Sequence, residues 1–307
     1  MDGIITPVCC ERTATRHGQI PERNGVGVVM AVADMKLVAS LITRNEADKY
    51  LVQCIESLQG FCDEIRAVDD DSTDGTHSLM QKMGVEVLRN DRSMFYEHEG
   101  RARQQLLEWT MEAEPTHILV VDGDELVVGG HMLREELMKP VPVPTLRERR
   151  QRGRGQQAAM VWRLQMQEIW GATEDHLLVR QDGGWKEHPV PICFYVPPME
   201  FDRRLQRHWR IPDRALACGR IPNEVAVASN RTQTEPTAAV LHLGWSCEAD
   251  RWARHQRYVK HDGGAHHASK HLDSIMWDDS KVLLTHRPWP DGVDKHTILE
   301  RINRGRP

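Results

Sequence analysis

The run His117-Ile-Leu-Val-Val-Asp-Gly-Asp-Glu125 decides how the rest of the chain is read. Ile118 to Val121 are four consecutive apolar residues, two of them Val, a length suited to a short buried strand. The chain then passes directly into Asp122-Gly123-Asp124. Two carboxylates around a glycine at the C-terminal end of a buried strand make a compact set of hard oxygen donors. Such a set suits a Mg²⁺ or Mn²⁺ ion shared with phosphate groups. Gly123 lets a ligand come close to the backbone. Taken alone, the triplet reads first as an acidic turn, since Asp and Gly are common turn residues. The sequence upstream changes that reading.

Lys36 to Thr43 (Lys-Leu-Val-Ala-Ser-Leu-Ile-Thr) has the continuous apolar character of a parallel-sheet strand. A polar turn, Arg44-Asn45-Glu46, follows. From Glu46 to Gln59, Tyr50, Leu51, Cys54, Ile55 and Leu58 recur at helical spacing. Glu64 to Val68 reads as a second strand and ends in Asp69-Asp70-Asp71-Ser72-Thr73-Asp74-Gly75-Thr76. Strand, helix and strand in this short space make a βαβ unit with a right-handed crossover. Ligands of open α/β sheets lie outside the carboxyl ends of the strands. Both polar loops and the Asp-Gly-Asp triplet fall there. Three consecutive aspartates repel one another, so Asp69 to Asp71 point to a use beyond a capped turn. A helix over Asp74–Met83, a strand over Val85–Leu88 and a helix over Gly100–Met111 complete the alternation. The expected class is α/β with a doubly wound sheet.

Beyond Glu125 the pattern changes. A helix over His131–Lys139 precedes Pro140, Pro142 and Pro144, and Arg147–Arg154 is a basic run that reads as a solvated loop. Ala158–Ile169, His176–Arg180, Ile192–Val196 and Thr237–Leu243 read as strands, and Glu248–Lys260 and His267–Trp277 as helices. The tail from Arg287 is rich in Pro and Arg and reads as loosely held. Residues 1–35 lack periodicity and the pattern of a signal peptide, so they read as a mobile leader, with Met35 a possible natural start.

Composition narrows the class. With 40% hydrophobic and 28% charged residues the 307-residue chain is globular and long enough for a large core. A net charge of -5 does not favour nucleic-acid binding through bulk charge. No apolar run has the length of a membrane span. The seven cysteines include no CxxC pair, which argues against a zinc ribbon and a disulfide framework and favours a reducing cytoplasm. His267 and His271 stand one helical turn apart without an evident third ligand, so zinc is not the reading there.

The four ordered motifs, Leu37-Val-Ala-Ser-Leu-Ile-Thr-Arg-Asn-Glu46, Val68-Asp-Asp-Asp-Ser-Thr-Asp-Gly-Thr76, Gly100-Arg-Ala-Arg103 and Val121-Asp-Gly-Asp-Glu125, resemble the nucleotide-sugar half of family 2 glycosyltransferases with the GT-A fold. The resemblance covers residues 36 to about 130. It is looser over His242-Leu-Gly-Trp-Ser246 and the Arg-rich helix that follows, which are similar to bacterial and phage-type members. It implies a Rossmann-like mixed sheet flanked by helices, with a C-terminal helical extension on the acceptor side. The implied organisation is a leader (1–35), a nucleotide-sugar half (36–130), an acceptor half (131–245) and the extension (246–307).

The resemblance also implies roles. Asp70 would accept from a uracil-type base with Asp69 beside it. Thr43 and Glu46 would line base and ribose, Arg103 would meet donor sugar or diphosphate, and Asp122 ribose or sugar. Asp124 would ligate Mn²⁺ or Mg²⁺, with His242 at the position of a further ligand. Inverting members use a carboxylate to take the acceptor's proton, for which Asp175 and Glu187 are the candidates. The expected activity is metal-dependent transfer of a sugar from a nucleoside diphosphate donor, UDP-linked by default, to a hydroxyl. The acceptor would be a glycan, a protein or a lipid-linked sugar, with a modified DNA base less favoured. Two rivals stand beside it. A nucleotidyltransferase would carry a Gly-rich basic loop after the first strand, where this chain has Thr-Arg-Asn-Glu. A non-catalytic nucleotide-sugar-binding protein would have a broken acidic triplet, and this one is intact.

Overall fold

A computed structural model describes residues 29–30, 35–139, 141–142, 160–196, 209–211, 220–222, 225, 232–262, 273–277 and 279–304. The expectations for residues 1–28, for the basic run 147–154 and for His267 and His271 lie outside them. The described residues build a ten-stranded mixed sheet with helices packed against it, and a separate two-stranded antiparallel pair in which Val29–Met30, expected to lie in a mobile leader, meets Val141–Pro142.

The first half is parallel. Strand β1 (Leu37–Thr43) is buried along its whole length, as its unbroken apolar run requires. Helix α1 (Leu51–Gln59) buries Leu51, Cys54, Ile55 and Leu58 and returns the chain to β2 (Glu64–Asp69). This helix begins five residues later than the periodicity suggests. Asn45, in the left-handed region at φ 54°, turns the chain first. Helix α2 (Thr76–Lys82) leads to β3 (Glu86–Arg89), and α3 (Phe95–Met111) to β4 (His117–Asp122).

Strands β2 and β4 flank β1, both parallel to it, and β3 follows β2. The register decides where the loops lie. Thr43 is level with Asp69 and Ile42 with Asp122, so the three polar loops leave the sheet side by side at one edge.

The second half closes that edge with antiparallel strands. After Gly123-Asp124, β5 (Glu125–Val128) continues the chain, and α4 (Gly130–Leu137) follows. The long β6 (Val161–Ala172) lies between β7 (His176–Arg180) and β8 (His188–Tyr195), antiparallel to both, and β8 pairs antiparallel to β4. Strand β9 (Thr232–His242) then lies between β6, to which it is parallel, and β5, to which it is antiparallel. His242 is thereby the register partner of both Glu125 and Glu168. Helix α5 (Glu248–Asp262) starts directly after this strand.

The C-terminal tail is not loosely held. It contributes β10 (Leu284–Pro288), paired with β7, and α6 (Lys295–Asn303), capped by the Asp294 carboxylate on the Thr297 amide. Ile298, Leu299 and Ile302 of α6 are buried with Leu126, Ile169, Leu177 and Leu241. Burial of such side chains is worth about 1.5–3 kcal/mol each, enough to dock a short helix despite its proline-rich approach. The segment 246–307 therefore supplies a sheet strand as well as helices. Among the described residues no helix is long and apolar enough to cross a membrane.

Candidate active site

The loops after β1 and β2 are locked together by their own short side chains. Ser72 Oγ accepts from the Asn45 amide, and Asn45 Oδ1 accepts from the Thr73 amide. Thr76 Oγ1 accepts from the amides of Glu46 and Ala47. Gly123 completes the corner. A Cβ there would stand 3.1 Å from Thr43 Cγ2 and 3.3 Å from Glu46 Cγ, so a glycine lets the acidic loop pack against them. Thr43, Glu46, Asp69, Asp122 and Asp124 are thus gathered at one corner of the sheet.

The acidic loop divides its labour. Asp70 is fully buried, and both of its oxygens are engaged. It accepts from Asn90 Nδ2, Ser93 Oγ and the amides of Met94 and Phe95, at the point where α3 begins. In this arrangement Asp70 anchors a helix and has no oxygen turned to a base, which is not the placement that the resemblance implies. Asp69 Oδ1 accepts from the Ser72 amide, while its Oδ2 is buried without a hydrogen bond, 3.6 Å from His77 and 3.7 Å from Arg89. Thr43 is buried, with its hydroxyl on Met80 Sδ at 3.6 Å. Glu46 Oε1 is paired with Lys49 at 2.7 Å, and its Oε2 is buried without a hydrogen bond. Burial, aided by the nearby Asp124, raises the Glu46 pKa against the pull of Lys49.

Around the triplet, acidic and basic groups meet pair by pair. Arg103 reaches both oxygens of Asp122, at 3.1 and 3.2 Å, and is itself held by Glu99 at 2.9 Å. Arg220 makes a bidentate pair with Glu125, at 2.5 and 2.6 Å, and stands 3.4 Å from Asp122. Burial would raise the Asp122 pKa, but Arg103 and Arg220 outweigh it and hold the carboxyl below its ordinary value.

Asp124 is held from the other half of the molecule. Its carbonyl accepts from the Leu243 amide at 2.8 Å, and Arg254 of α5 donates to its Oδ2. His242 Nε2 lies 3.6 Å from the same oxygen, while its Nδ1 lies 2.5 Å from Glu168 Oε2. Burial would raise Asp124, yet Arg254 and His242 keep it well below the usual carboxylate range. Burial would lower His242, yet Glu168 and Asp124 hold it well above the usual histidine value. Burial would likewise raise Glu168, and His242 brings it below its ordinary value.

A divalent cation at Asp124 would need donor atoms that converge on a gap. Here a guanidinium already occupies Oδ2, and the imidazole faces a carboxylate from each nitrogen. A ring in that position donates from both sides and has no lone pair for a metal. Among the described residues no three acidic, His or Cys side chains gather as a metal site. As placed, Asp124 and His242 form an ion-pair network and do not fit the pair of ligands that the resemblance implies.

The two carboxylates expected to act as base lie outside this network. Asp175 is exposed in the turn past Ala172, beyond four strand residues that carry the chain roughly 13 Å from Glu168. Glu187 is bound by Arg287 of β10 at 3.0 Å. Glu168 was not legible from sequence as a site residue, and neither were Arg220 and Arg254. Glu168 sits in an ordinary alternating strand, and only the parallel pairing with β9 brings it to His242.

A central parallel sheet whose strand ends gather carboxylates and arginines, extended by antiparallel strands, is the α/β architecture of the described residues. Residues 40–134 match the family described as Glycosyl transferase family 2. The match contains three of the four motifs whole and the first from Ser40 onward. No curated protein matches the sequence. Among solved structures, TarS 1–349 of S. aureus is 17% identical, with 79% of this chain and 69% of that one aligned at a TM-score of 0.43. A longer TarS structure is covered to 42% of its length. Glucosyl-3-phosphoglycerate synthase from Mycobacterium tuberculosis, solved with Mn²⁺ and UDP-glucose, is 20% identical over 31% of this chain and 36% of that one, at a TM-score of 0.25. These superpositions are loose, and the functional reading rests on the family match and the site.

Proposed function

We propose that the protein transfers a sugar from a nucleoside diphosphate donor, UDP-linked by default, to a hydroxyl group of a glycan, a protein or a lipid-linked sugar. The observation that carries this is the register that brings Thr43, Asp69 and Asp122 to one sheet edge inside the family-matched segment. Arg103, Arg220 and Arg254 stand around the acidic triplet there, and guanidinium groups suit phosphate oxygens through their planar, charged fork. Thr43, Glu46 and Asp69 border the nucleoside side of the pocket. Buried Asp69 Oδ2 and Glu46 Oε2, each without a hydrogen bond, are the acceptors left for base or ribose.

In the reaction the bond from the anomeric carbon to the diphosphate oxygen breaks, and its electron pair leaves with the nucleoside diphosphate. The arginines stabilise the charge that develops on the leaving group. The acceptor oxygen forms the new bond to the anomeric carbon, and its proton passes to a carboxylate. Glu168 is the best placed for that role, ahead of Asp175 and Glu187. Its Oε2 is fixed by His242, its Oε1 makes no hydrogen bond among the described residues, and it stays ionised at neutral pH.

A thermal-shift panel of UDP, GDP, CDP and dTDP tests the donor site. A ligand that binds the native state raises the unfolding temperature by mass action. One nucleoside diphosphate should stabilise the protein, and Arg103→Ala should remove the shift. No shift with any of them contradicts the reading.

A further inference from the structure

Arg254 stands where a cation would be needed, and several independent features hold it there. Its guanidinium donates to Asp124 Oδ2 and lies 4.6 Å from the centroid of the Trp245 ring. A Cβ on Gly244 would come within 2.3 Å of Asp124 Oδ2 and 2.6 Å of Arg254 Nη2. Only glycine leaves room for this pair to form. The helix that carries Arg254 is anchored one turn earlier by Arg251, which donates to the carbonyls of Trp170 and Trp245 and lies 4.1 Å over the Trp170 ring. Residues three apart on a helix share a face, so seating Arg251 aims Arg254 at the acidic triplet. The start of this segment is fixed in turn by Ser246, 2.7 Å from the Tyr50 hydroxyl next to α1.

We propose that Arg254 is the built-in counter-ion of the donor diphosphate, taking the position and charge of a divalent cation, so that the protein binds and turns over its nucleotide donor without a metal. The inference rests on the donor reading above and deepens it. Asp124 then acts as a positioning residue for Arg254. A guanidinium carries five N–H donors in a rigid planar fork that matches phosphate oxygens, and this one arrives already oriented. A fixed cation of this kind needs no reorganisation as charge develops on the leaving group.

The experiment has two readouts. Calorimetric titration measures nucleoside diphosphate affinity of the wild type, Arg254→Ala and Arg254→Lys, each in excess EDTA and in Mn²⁺. Electron paramagnetic resonance measures Mn²⁺ binding to the same proteins without nucleotide. The wild type should bind nucleotide equally well in both conditions and take up no Mn²⁺. Arg254→Ala should lose roughly 10- to 100-fold in affinity in EDTA, the worth of a charged hydrogen bond. It should regain part of that in Mn²⁺, because the freed Asp124 carboxylate becomes a ligand. Arg254→Lys should keep part of the affinity in EDTA. Wild-type binding that requires Mn²⁺, or an Arg254→Ala variant that binds like wild type in EDTA, overturns the inference while leaving the donor site intact. A wild type that binds no nucleotide in either condition overturns the donor reading and this inference together.

Discussion

Glu168 Oε2 lies 2.5 Å from His242 Nδ1, and the two residues are register partners on the parallel strands β6 and β9. The pairing is set by the sheet and not by a flexible loop, so the carboxylate is held in one orientation. Glu168→Gln keeps the shape and removes the basic oxygen. Loss of a positioned general base costs about 10²- to 10⁴-fold in rate. The expected result is a fall of that size in kcat with nucleotide affinity unchanged. Asp175→Asn and Glu187→Gln should stay near wild type in the same assay. Full activity in Glu168→Gln, with loss in either of the other two, returns the role to that residue.

Gly244→Ala separates site from fold. The added Cβ would meet the ends of the Asp124 and Arg254 side chains, and both can swing away. The chain should therefore fold with little change in unfolding temperature, whereas nucleoside diphosphate affinity falls. An unchanged affinity would mean that the pair is not part of the donor site.

Asp70 is predicted to matter for stability more than for recognition. Asn90, Ser93, Met94 and Phe95 all donate to its carboxylate at the start of α3. Asp70→Ala leaves these donors without their partner in a buried place, which costs on the order of 3 kcal/mol or more. Denaturant unfolding should show that loss. If the variant is as stable as the wild type yet has lost nucleotide binding, the carboxylate serves the base after all.

His117 gives the protein an acid-sensitive core. It is fully buried between Trp162 and Tyr195, and burial lowers its pKa to about 4. In the unfolded chain the ring titrates near 6.5. Between these values the unfolded state binds a proton that the folded state refuses. Stability is therefore full above about pH 6.5 and falls as the pH drops toward 4, by up to roughly 3 kcal/mol for this one group. Unfolding free energies measured across that range should show the decline, and His117→Phe should flatten it. An identical slope in the variant would contradict the assignment.

The first half of the fold was legible because it is local. Apolar runs such as Leu37–Thr43 and Ile118–Val121 and the helical spacing from Leu51 to Leu58 are the same signals that bury these elements. The Asp-Gly-Asp corner was legible for the same reason, since a strand end and a loop share one short stretch. The second half was not, because its site depends on pairing between distant strands. Nothing near Glu168 marks it until β9 lies alongside. Arg220 and Arg254 read as two among many surface arginines until Glu125 and Asp124 meet them. The α6 helix was obscured by the prolines before it, although Ile298, Leu299 and Ile302 carry a plain buried face. Asp70 shows the opposite limit, where a motif located the residue but not the four donors from Asn90, Ser93, Met94 and Phe95 that its carboxylate accepts.

Sugar transfer from a nucleoside diphosphate donor is proposed to take place at the Asp122–Asp124 corner. Its most direct test is to incubate the protein with a mixture of nucleotide sugars and identify the nucleotide product, comparing wild type with Asp122→Asn. One nucleoside diphosphate should be released above the blank, and the release should be lost in the variant as Arg103 and Arg220 lose their carboxylate. Release of pyrophosphate from nucleoside triphosphate and sugar phosphate instead, or no product from any donor that binds, would contradict it.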